Sequence, residues 1–591
     1  MTSSMGGSNR VDSLYKVQNY LLQKKKEWKK MNGIPEKQTA VQLIGPDKLM
    51  LNSAKPVDKP GPYQILARVE AVGLCFSDLK LLKQFDKHAR KSEIIAGIDP
   101  AVLTDIPSYR PGTEPTVPGH EAFCTIAAVG RKVRRHWVGQ RVLVQTDYRW
   151  LKTAESNSAF GYNFEGALQQ YVLMDERIIV DPQTGESFLI PVEKDLSASA
   201  IALVEPWACV ESSYATEERN AVLAGGKLLV AAEAGRKIEG LLESFSPQGR
   251  PAAITAVCAD ESQYELLKGL GVKLTRANAV SLLPDEAFDD IVYFGSSPAT
   301  IEILNDKLAA RGIINIVLAG RPIGQDVSVG VGRIHYGLTR WIGTTGANAA
   351  ESYKHIPSVG EVRRGDRVLI AGAAGPMGQM HTIRLICSGI ENLSITGTDF
   401  DDQRLEELAH KSAPLAQQRS VHLELVNPNK QPPQGKFSYF AIMAPAGALV
   451  AQAIKNSTEG TLINVFAGIP ASVRQGVDLD TYIANRCFIF GTSGSRLSDM
   501  KAVLQKVLSG QLDTNSSVGA VSGLAGAIEG MRAVENRTIA GKILVYPALE
   551  AMPLITLPQL EQVYPSVARK LDNGIWTKSA EEELFRVGRK V

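Results

Sequence analysis

The feature that most constrains the fold is an alternation of short apolar strands and amphipathic helices that occurs twice in succession. The first run opens at 227–232 and the second at 367–371. This alternation is typical of parallel sheets, in which a helix connects each strand to the next. With a shift of 148 residues and no gap, eight residues of the first run are identical in the second, four of them glycines: Gly312, Val317, Ala319, Gly320, Pro322, Gly343, Thr344 and Gly346 fall on Gly460, Val465, Ala467, Gly468, Pro470, Gly491, Thr492 and Gly494. The shared spacing indicates an internal duplication, so we predict two doubly wound parallel-sheet domains in tandem.

A glycine-rich turn follows the first strand of the second run. Gly372, Gly375 and Gly378 have the spacing G-x-x-G-x-x-G, and helical text comes next. Such a turn lets the backbone approach a pyrophosphate and points a helix N-terminus at its charge. Asp399 stands 21 residues beyond Gly378, where a carboxylate accepts the ribose hydroxyls of NAD and repels the 2′-phosphate of NADP. We therefore predict a Rossmann domain that binds NAD through Gly372, Gly375, Met377, Gly378, Asp399, Gly468 and Gly491.

The first run lacks this signature. Its equivalent turn, 232–236, keeps Gly235 alone, and Glu233 places a negative charge where a phosphate would lie. We predict a degenerate Rossmann-like domain that binds no dinucleotide in the usual way and serves as a scaffold or in forming oligomers.

An irregular, mostly β domain is predicted ahead of both runs. Between Thr39 and Asp181, short β-like segments such as Ile65–Val72 are separated by Gly and Pro, and Ser197–Ala215 has helical spacing. The last strand, Lys542–Tyr546, has the pattern of a return into this domain. The predicted organisation is an N-terminal helical extension (1–38), a catalytic domain (39–215, completed by 497–550), the degenerate domain (216–346), the NAD-binding domain (347–496) and a C-terminal extension (551–591).

Three separated segments contain residue types that bind metals. They are GLCFSD with Cys75, PGHE with His120 and Glu121, and VEP with Glu205. A catalytic zinc uses about three Cys, His or carboxylate ligands and keeps one position open. A lone Cys or His is more often a packed core residue than a ligand. The three segments together, in this order and ahead of a nucleotide signature, indicate a metal site.

These segments resemble the zinc-containing medium-chain dehydrogenases of the alcohol dehydrogenase superfamily, and within them the sorbitol, threonine and sugar-alcohol-phosphate dehydrogenase branch. The resemblance covers roughly 42–210 and 365–547, and it includes PGHEAFCTIAAVG, the G-A-L-x-x-Y-V text at 166–172 and EPWACVE. It implies a GroES-like catalytic domain with one catalytic zinc and no structural zinc. Its catalytic residues would be Cys75, Ser77, His120, Glu121 and Glu205.

Within that resemblance each residue has an implied role. Cys75, His120 and Glu121 bind the zinc, and Glu205 is a fourth or exchanging ligand. Asp78 orients His120 from the second coordination shell. Ser77 passes a proton toward solvent. The implied activity is a zinc- and NAD-dependent interconversion of a secondary alcohol and a ketone on a polyol, sugar or sugar phosphate.

The sequence departs from the family at several places, and the G-x-x-G-x-x-G spacing also favours a zinc-free reductase. Lys80 replaces a histidine that often completes the proton relay, and the stretch between Cys75 and His120 is about twenty residues longer than usual and includes Ser92–Pro111. The first α/β run and the tail beyond Pro547 also fall outside the resemblance. A zinc-free reductase of the quinone or enoyl type is one alternative, and a non-catalytic NAD-binding sensor or assembly protein is another.

Composition bounds the remaining possibilities. The 591 residues are too many for one core, and 44% hydrophobic with 21% charged residues is typical of a globular protein. A net charge of +3 gives no reason to expect a nucleic acid or a membrane as partner. Six cysteines without a C-x-x-C pair favour reduced thiols. Residues 1–10 lack the apolar core of a signal peptide, and Lys24–Lys30 has the pattern of a solvated helix face. We expect a cytoplasmic homo-oligomer, a dimer or tetramer, that acts on a small alcohol or ketone.

Overall fold

The computed structural model describes residues 33–492 and 494–588. Two compact units are present, one formed by Met1–Glu205 with Asp513–Val591 and the other by Pro206–Leu512. Residues 1–32 of the predicted N-terminal helical extension, with the run Lys24–Lys30, lie outside the described residues. The domain boundaries predicted from the sequence divide the chain more finely than these two units and stay a prediction.

Strands and helices alternate along most of the described chain. In chain order the strands are β1 (Lys37–Gly45), β2 (Lys48–Pro56), β3 (Gln64–Leu74), β4 (Glu121–Val129), β5 (Arg141–Val144), β6 (Asp147–Lys152), β7 (Asn157–Ala159), β8 (Tyr171–Asp175), β9 (Leu189–Pro191), β10 (Lys227–Ala232), β11 (Ala253–Cys258), β12 (Lys273–Arg276), β13 (Phe288–Phe294), β14 (Leu308–Val317), β15 (Val327–Val329), β16 (Arg340–Thr344), β17 (Arg367–Ala371), β18 (Ser394–Thr398), β19 (His422–Val426), β20 (Phe437–Ile442), β21 (Ser457–Val465), β22 (Gln475–Val477), β23 (Phe488–Phe490), β24 (Val518–Ser522), β25 (Lys542–Val545) and β26 (Ile555–Thr556). The α-helices are Phe76–Gln84, Pro100–Leu103, Glu176–Ile179, Ala198–Ala202, Val204–Tyr214, Glu261–Lys268, Pro298–Lys307, Gly332–Tyr336, Ala350–Tyr353, Pro376–Ile386, Asp402–Gln418, Gly447–Lys455, Leu479–Ala484, Leu497–Leu508, Leu524–Asn536, Leu560–Val563, Pro565–Ala568 and Lys578–Gly588.

The first unit is built on an eight-stranded sheet of mostly antiparallel strands. Its order is β26-β24-β25-β3-β4-β5-β9, and β8 also pairs with β3. β3 runs antiparallel to β4 with Gly73 opposite Glu121, and antiparallel to β25 with Leu74 opposite Ile543. The end of β3, the start of β4 and the start of β25 therefore lie at one end of the sheet. The predicted return of the strand at 542–546 into this domain is confirmed.

The second unit contains two six-stranded parallel sheets. Their orders are β12-β11-β10-β13-β14-β16 and β19-β18-β17-β20-β21-β23. Counted from its own first strand, each sheet has the order 3-2-1-4-5-6, which is that of the dinucleotide-binding Rossmann fold. The fold class predicted from the sequence is therefore confirmed in both runs. We call residues 227–344 the first copy and residues 367–490 the second copy.

Apolar runs form the central strands of both sheets because parallel strands are covered on both faces. In β14, for example, Ile313–Val317 is buried throughout, and Ile463 and Val465 of β21 are likewise inaccessible to solvent. A single cluster of buried hydrophobic residues extends through both copies. In the described part of the chain, no helix has the length and apolar character needed to cross a bilayer.

Candidate metal and nucleotide sites

Three of the predicted metal ligands meet at one end of the sheet in the first unit. Cys75 directly follows β3, and His120 directly precedes Glu121, the first residue of β4. One ligand atom of each residue lies within 4.8 Å of those of the other two. His120 and Glu121 are buried and Cys75 is half-buried. Thiol, imidazole and carboxylate together form a donor set that zinc uses in catalytic sites, so these side chains fit that metal.

Asp78 connects the two segments that carry Cys75 and His120. One carboxylate oxygen, Oδ2, accepts a hydrogen bond from the Cys75 amide at 3.0 Å, while Oδ1 lies 2.9 Å from Nδ1 of His120 and accepts from the Gly119 amide at 3.3 Å. Burial lowers the pKa of His120, but the Asp78 carboxylate outweighs it and raises that pKa well above its usual value. With Nδ1 directed at Asp78, Nε2 remains to face a metal.

Glu121 is held by a lysine that is remote in sequence. Nζ of Lys542, at the start of β25, lies 2.5 Å from Oε1 of Glu121 and donates to the Leu74 carbonyl oxygen at 2.7 Å. The other carboxylate oxygen, Oε2, is buried and has no hydrogen-bond partner among the described residues. A Cβ at Gly73 would lie 2.0 Å from Oε2, so the glycine is needed for this approach. An orphaned buried oxygen beside a thiol and an imidazole fits a metal ligand.

The other predicted catalytic side chains surround this set. Glu205, near the start of the helix Val204–Tyr214, is buried but does not belong to the group of ligand atoms within 4.8 Å of one another. Burial, opposed in part by His120, raises the pKa of Glu205 to about 7. Ser77 and Lys80 are half-buried in the helix Phe76–Gln84, which begins directly after Cys75.

The longer stretch between Cys75 and His120 folds into the first unit. Ile94 and Ile106 belong to its core, and the buried ammonium group of Lys91 donates to the carbonyl oxygens of Arg110, Gly112 and Glu114. These hydrogen bonds join Lys91, which precedes the segment Ser92–Pro111, to the backbone at the end of that segment.

Tyr162 connects that stretch to the metal ligands. Its ring centroid lies 5.7 Å from that of His120 and 5.1 Å from that of His88. The Arg90 guanidinium lies 5.6 Å from the same ring and forms an ion pair with Asp147 at 2.7 Å. Burial lowers the pKa of His88 to about 4, with a smaller contribution from Arg90. His120, His88 and Arg90 therefore all lie around the Tyr162 ring.

The glycine turn of the second copy has the geometry of a phosphate-binding turn. Gly372 has a φ of 86°, and a Cβ at Gly378 would lie 2.1 Å from the Gly372 carbonyl oxygen. A Cβ at Gly375 would meet only ordinary contacts within the protein. Gly375 is the N-cap of the helix Pro376–Ile386 and has no side chain, so backbone N–H groups of the first turn, with that of Met377 among them, are left without a side-chain cap. Asp399 accepts a hydrogen bond from the Ala374 amide at 3.2 Å.

Gly468 and Gly491 contact the first copy. A Cβ at Gly468 would lie 2.4 Å from the Tyr336 hydroxyl oxygen, and one at Gly491 would lie 3.1 Å from Cα of His335. These contacts are sufficient to account for both glycines, and a role in binding the cofactor stays a prediction for each.

The first copy fills its own turn with a carboxylate. Residues 233–252 form turns in place of the helix that follows β17 in the second copy. Oε1 of Glu233 accepts hydrogen bonds from the Tyr293 hydroxyl at 2.5 Å and from the Ser297 amide at 3.0 Å, at the N-terminus of the helix Pro298–Lys307. Burial raises the pKa of Glu233, but these bonds outweigh it and hold the pKa below its usual value. Without the helix and with this charge, the turn lacks the features that bind a pyrophosphate.

A comparison with protein families matches residues 61–183 to the alcohol dehydrogenase GroES-like domain. That segment contains Cys75, His120 and Glu121, and curated alcohol and polyol dehydrogenases match the chain as well. Residues 61–183 are therefore similar to the GroES-like domain of alcohol dehydrogenases.

Curated relatives match the chain over different lengths. Erythritol/L-threitol dehydrogenase from Mycolicibacterium smegmatis is 28% identical over 314 residues, which are 51% of this chain and 78% of that protein. The uncharacterized protein YggP from Escherichia coli is 25% identical over 278 residues, which are 41% of this chain and 62% of that protein, less than two thirds of its length. Sorbitol dehydrogenase from Bos taurus is 30% identical over 101 residues, 17% of this chain and 22% of that protein. A solved structure, 2R,3R-butanediol dehydrogenase from Bacillus subtilis, aligns at 15% identity and a TM-score of 0.49, with 86% of this chain and 99% of that chain covered.

Two side chains of the candidate metal site are not identified by the sequence. The sequence assigns Lys542 to a strand but not to the site, because its partner Glu121 is 421 residues away along the chain. Tyr162 lies between two segments with metal-binding residue types, and a lone aromatic residue in an irregular β region is most often part of a core. For Lys542, the one sequence signal is a lysine at the start of the strand that returns to the first domain.

Proposed function

We propose that the protein is a zinc-dependent, NAD-linked dehydrogenase that interconverts a secondary alcohol and a ketone on a polyol, a sugar or a sugar phosphate. The observation that supports this most strongly is the meeting of Cys75, His120 and Glu121 within 4.8 Å of one another. Thiol, imidazole and carboxylate come together here from two segments that the sequence separates by more than forty residues. Such convergence is expected of a ligand set and not of independent core residues.

Each residue of the site has a role in this proposal. A bound zinc ion supplies a Lewis acid that polarises an alcohol or carbonyl oxygen, and NAD supplies the acceptor for hydride. Cys75, His120 and Glu121 would hold the ion, and Asp78 fixes the His120 ring so that Nε2 faces it. Lys542 pairs with Glu121 and fixes one of its oxygens. Ser77, two residues beyond Cys75, would receive the proton that the alcohol releases and pass it toward solvent.

The second copy would bind the dinucleotide. Its turn at Gly372–Gly378 leaves space at Gly375 for a pyrophosphate, and the uncapped helix N-terminus supplies N–H donors with a favourable dipole. Asp399, at the end of β18, would accept hydrogen bonds from the ribose hydroxyls, which favours NAD over NADP.

Polyols and their phosphates are the proposed substrate class. The named activities of two relatives, erythritol/L-threitol dehydrogenase and sorbitol dehydrogenase, concern polyols. Tyr162 lies beside His120, and His88 and Arg90 lie around its ring, so these polar side chains would provide hydrogen-bond donors for additional hydroxyl groups.

The test is a substrate screen of the full chain loaded with zinc. NADH absorbance is followed with NAD and a panel of linear polyols, each compared with its phosphate, and the Cys75→Ala variant serves as the control. We expect NADH formation with at least one secondary alcohol and a loss of several hundredfold or more in the variant. Equal rates in the variant, or quinone reduction that persists after zinc is chelated, would contradict the proposal and favour a zinc-free reductase. Zinc and NAD binding without turnover of any substrate would favour a sensor.

A further inference from the structure

The two copies contact each other through equivalent parts. β15 of the first copy pairs antiparallel with β22 of the second. The shift of 148 residues that aligns the copies places β15 on β22 and the helix Gly332–Tyr336 on the helix Leu479–Ala484. The last strands of the two sheets, β16 and β23, also correspond and contact each other. The same structural elements thus lie on both sides of the contact.

The register of the β15 and β22 pair shows twofold symmetry. Ser328 lies opposite Gly476, its own equivalent in the second copy. Val327 lies opposite Val477, the equivalent of Val329, and Val329 lies opposite Gln475, the equivalent of Val327. This reciprocal pairing is the mark of an isologous interface, in which position i contacts j and position j contacts i.

Contacts between the sheets and the short helices have the same reciprocity. A Cβ at Gly343 would lie 2.7 Å from Cγ1 of Ile483. The equivalents of these two residues are Gly491 and His335. A Cβ at Gly491 would lie 3.1 Å from Cα of His335. The hydroxyl group of Tyr482 donates to the carbonyl oxygen of Trp341 at 2.7 Å. The same hydroxyl accepts from the amide of Ile489 of its own copy at 3.1 Å, and Ile334, the equivalent of Tyr482, has no hydroxyl group, so this bond between the copies occurs once.

A third reciprocal contact joins the loop that follows β14 or β21 of one copy to the start of the short helix of the other copy. Asp480 accepts hydrogen bonds from the amides of Ile323 and Gly324 at 2.9 and 2.7 Å. Gly332, the equivalent of Asp480, donates to the carbonyl oxygen of Val473 at 3.1 Å. Each copy therefore places the start of its short helix against the equivalent loop of the other.

The interface has the character of a protein core. Its central side chains are fully or almost fully buried and apolar, as in permanent subunit interfaces: Val331, Ile334, Trp341, Ile469, Leu479, Tyr482, Ile483 and Ile489.

We propose that the first copy is a built-in partner subunit of the second. The two copies form an internal twofold dimer, and one chain supplies both halves of an interface that otherwise requires two chains. In the first copy, Glu233 occupies the turn where a pyrophosphate would bind, whereas the sheet order and the interface residues match those of the second copy. This combination is expected when the function of the first copy is to pair with the second copy and not to bind a nucleotide. A second chain has no access to this surface, so the homo-oligomer predicted from the sequence would use other surfaces.

Cross-linking of the full chain tests this proposal. Ser328→Cys and Gly476→Cys place two thiols on opposite residues of β15 and β22, about 5 Å apart at Cβ, and a Cβ at Gly476 has only ordinary contacts. A short bifunctional thiol reagent is added to the double variant and to each single variant. Peptide mass spectrometry identifies the linked residues in the presence of the six native cysteines.

The proposal predicts a link between positions 328 and 476 in a product with the mass of one chain, and no such product in either single variant. Covalent dimers of the double variant would show that the copies pair between two chains and would overturn it. Covalent dimers of Ser328→Cys alone would show pairing of β15 with β15 of another chain, which overturns it as well. If the double variant does not fold, Ser328→Cys with Arg474→Cys tests a diagonal pair on the same face, since the Arg474 guanidinium lies 3.3 Å from the Ser328 hydroxyl oxygen. Two reactive thiols without a link in a folded variant would also contradict the proposal.

Discussion

Replacement of Lys542 by methionine is the sharpest test of how the metal site is assembled. Glu121 has no exposed surface and Lys542 is 4% exposed, with Nζ at 2.5 Å from Oε1. Methionine preserves most of the volume but removes the charge. It therefore leaves a buried carboxylate whose Oε2 has no hydrogen-bond partner among the described residues and whose Oε1 loses its ion pair.

The expected loss of stability in Lys542→Met follows from the burial of the ion pair. Removal of one partner of a buried ion pair costs about 3–5 kcal/mol, since the remaining charge stays out of water without compensation. For a domain of this size, each kcal/mol corresponds to roughly 2–4 °C in the midpoint of thermal unfolding. We therefore expect Lys542→Met to lower the unfolding midpoint of the metal-free protein by roughly 6–20 °C.

The assay is thermal unfolding in the presence of a chelator and again with zinc. Zinc provides Glu121 with a new cationic partner, so it should raise the midpoint of the variant more than that of the wild type. Lys83→Met is the matched control, because Lys83 pairs with Asp47 and Glu535 at an exposed position and its loss should change little. If Lys542→Met unfolded within about one degree of the wild type in chelator, the reasoning on the buried pair would be refuted.

Three further predictions concern the two copies. Gly468→Ala places a Cβ 2.4 Å from the Tyr336 hydroxyl oxygen, and since Tyr336 is 43% exposed and can shift, the free energy of unfolding should fall by at most about 1 kcal/mol. Addition of Tyr336→Phe should restore most of the loss, and a double variant no more stable than Gly468→Ala would speak against this contact. Glu233→Gln should destabilise the protein at pH 7, where the depressed pKa of Glu233 contributes stability, and the difference from the wild type should vanish as the pH falls through that pKa in thermal unfolding between pH 7 and pH 3; a difference that does not change with pH would contradict the assigned hydrogen bonds. Asp399→Ser should lower the ratio of kcat/KM for NAD to kcat/KM for NADP by about tenfold or more, and an unchanged ratio would exclude the proposed ribose contact.

Local patterns of the sequence are sufficient to predict the sheets. Strands such as 227–232 and 367–371 are continuous apolar runs followed by turns, and this signal needs only adjacent residues. The glycines at 372 and 378 are also predictable, because a positive φ and a close backbone approach leave room for no other residue.

Contacts between distant segments are not predictable in the same way. The Lys542 and Glu121 ion pair depends on which strand lies beside β3, and no local pattern determines that neighbour. Gly491 illustrates a second limit, since its sequence position suggests cofactor binding, whereas its lack of a side chain is accounted for by the carbonyl oxygen of Val465 and the backbone of His335. The duplication is visible as a shift of 148 residues, but the twofold pairing of its copies depends on which faces are apolar and meet in three dimensions.

A zinc titration of the metal-free protein tests the central claim most directly. NADH formation from the best polyol substrate is measured while zinc is added stepwise, and bound zinc is quantified in the same samples for the wild type and for Cys75→Ala. The account predicts that activity rises in proportion to bound zinc and reaches its maximum at one ion per chain, with neither tight zinc binding nor activity in the variant. Full activity without zinc, or the same zinc binding and turnover in Cys75→Ala, would contradict it.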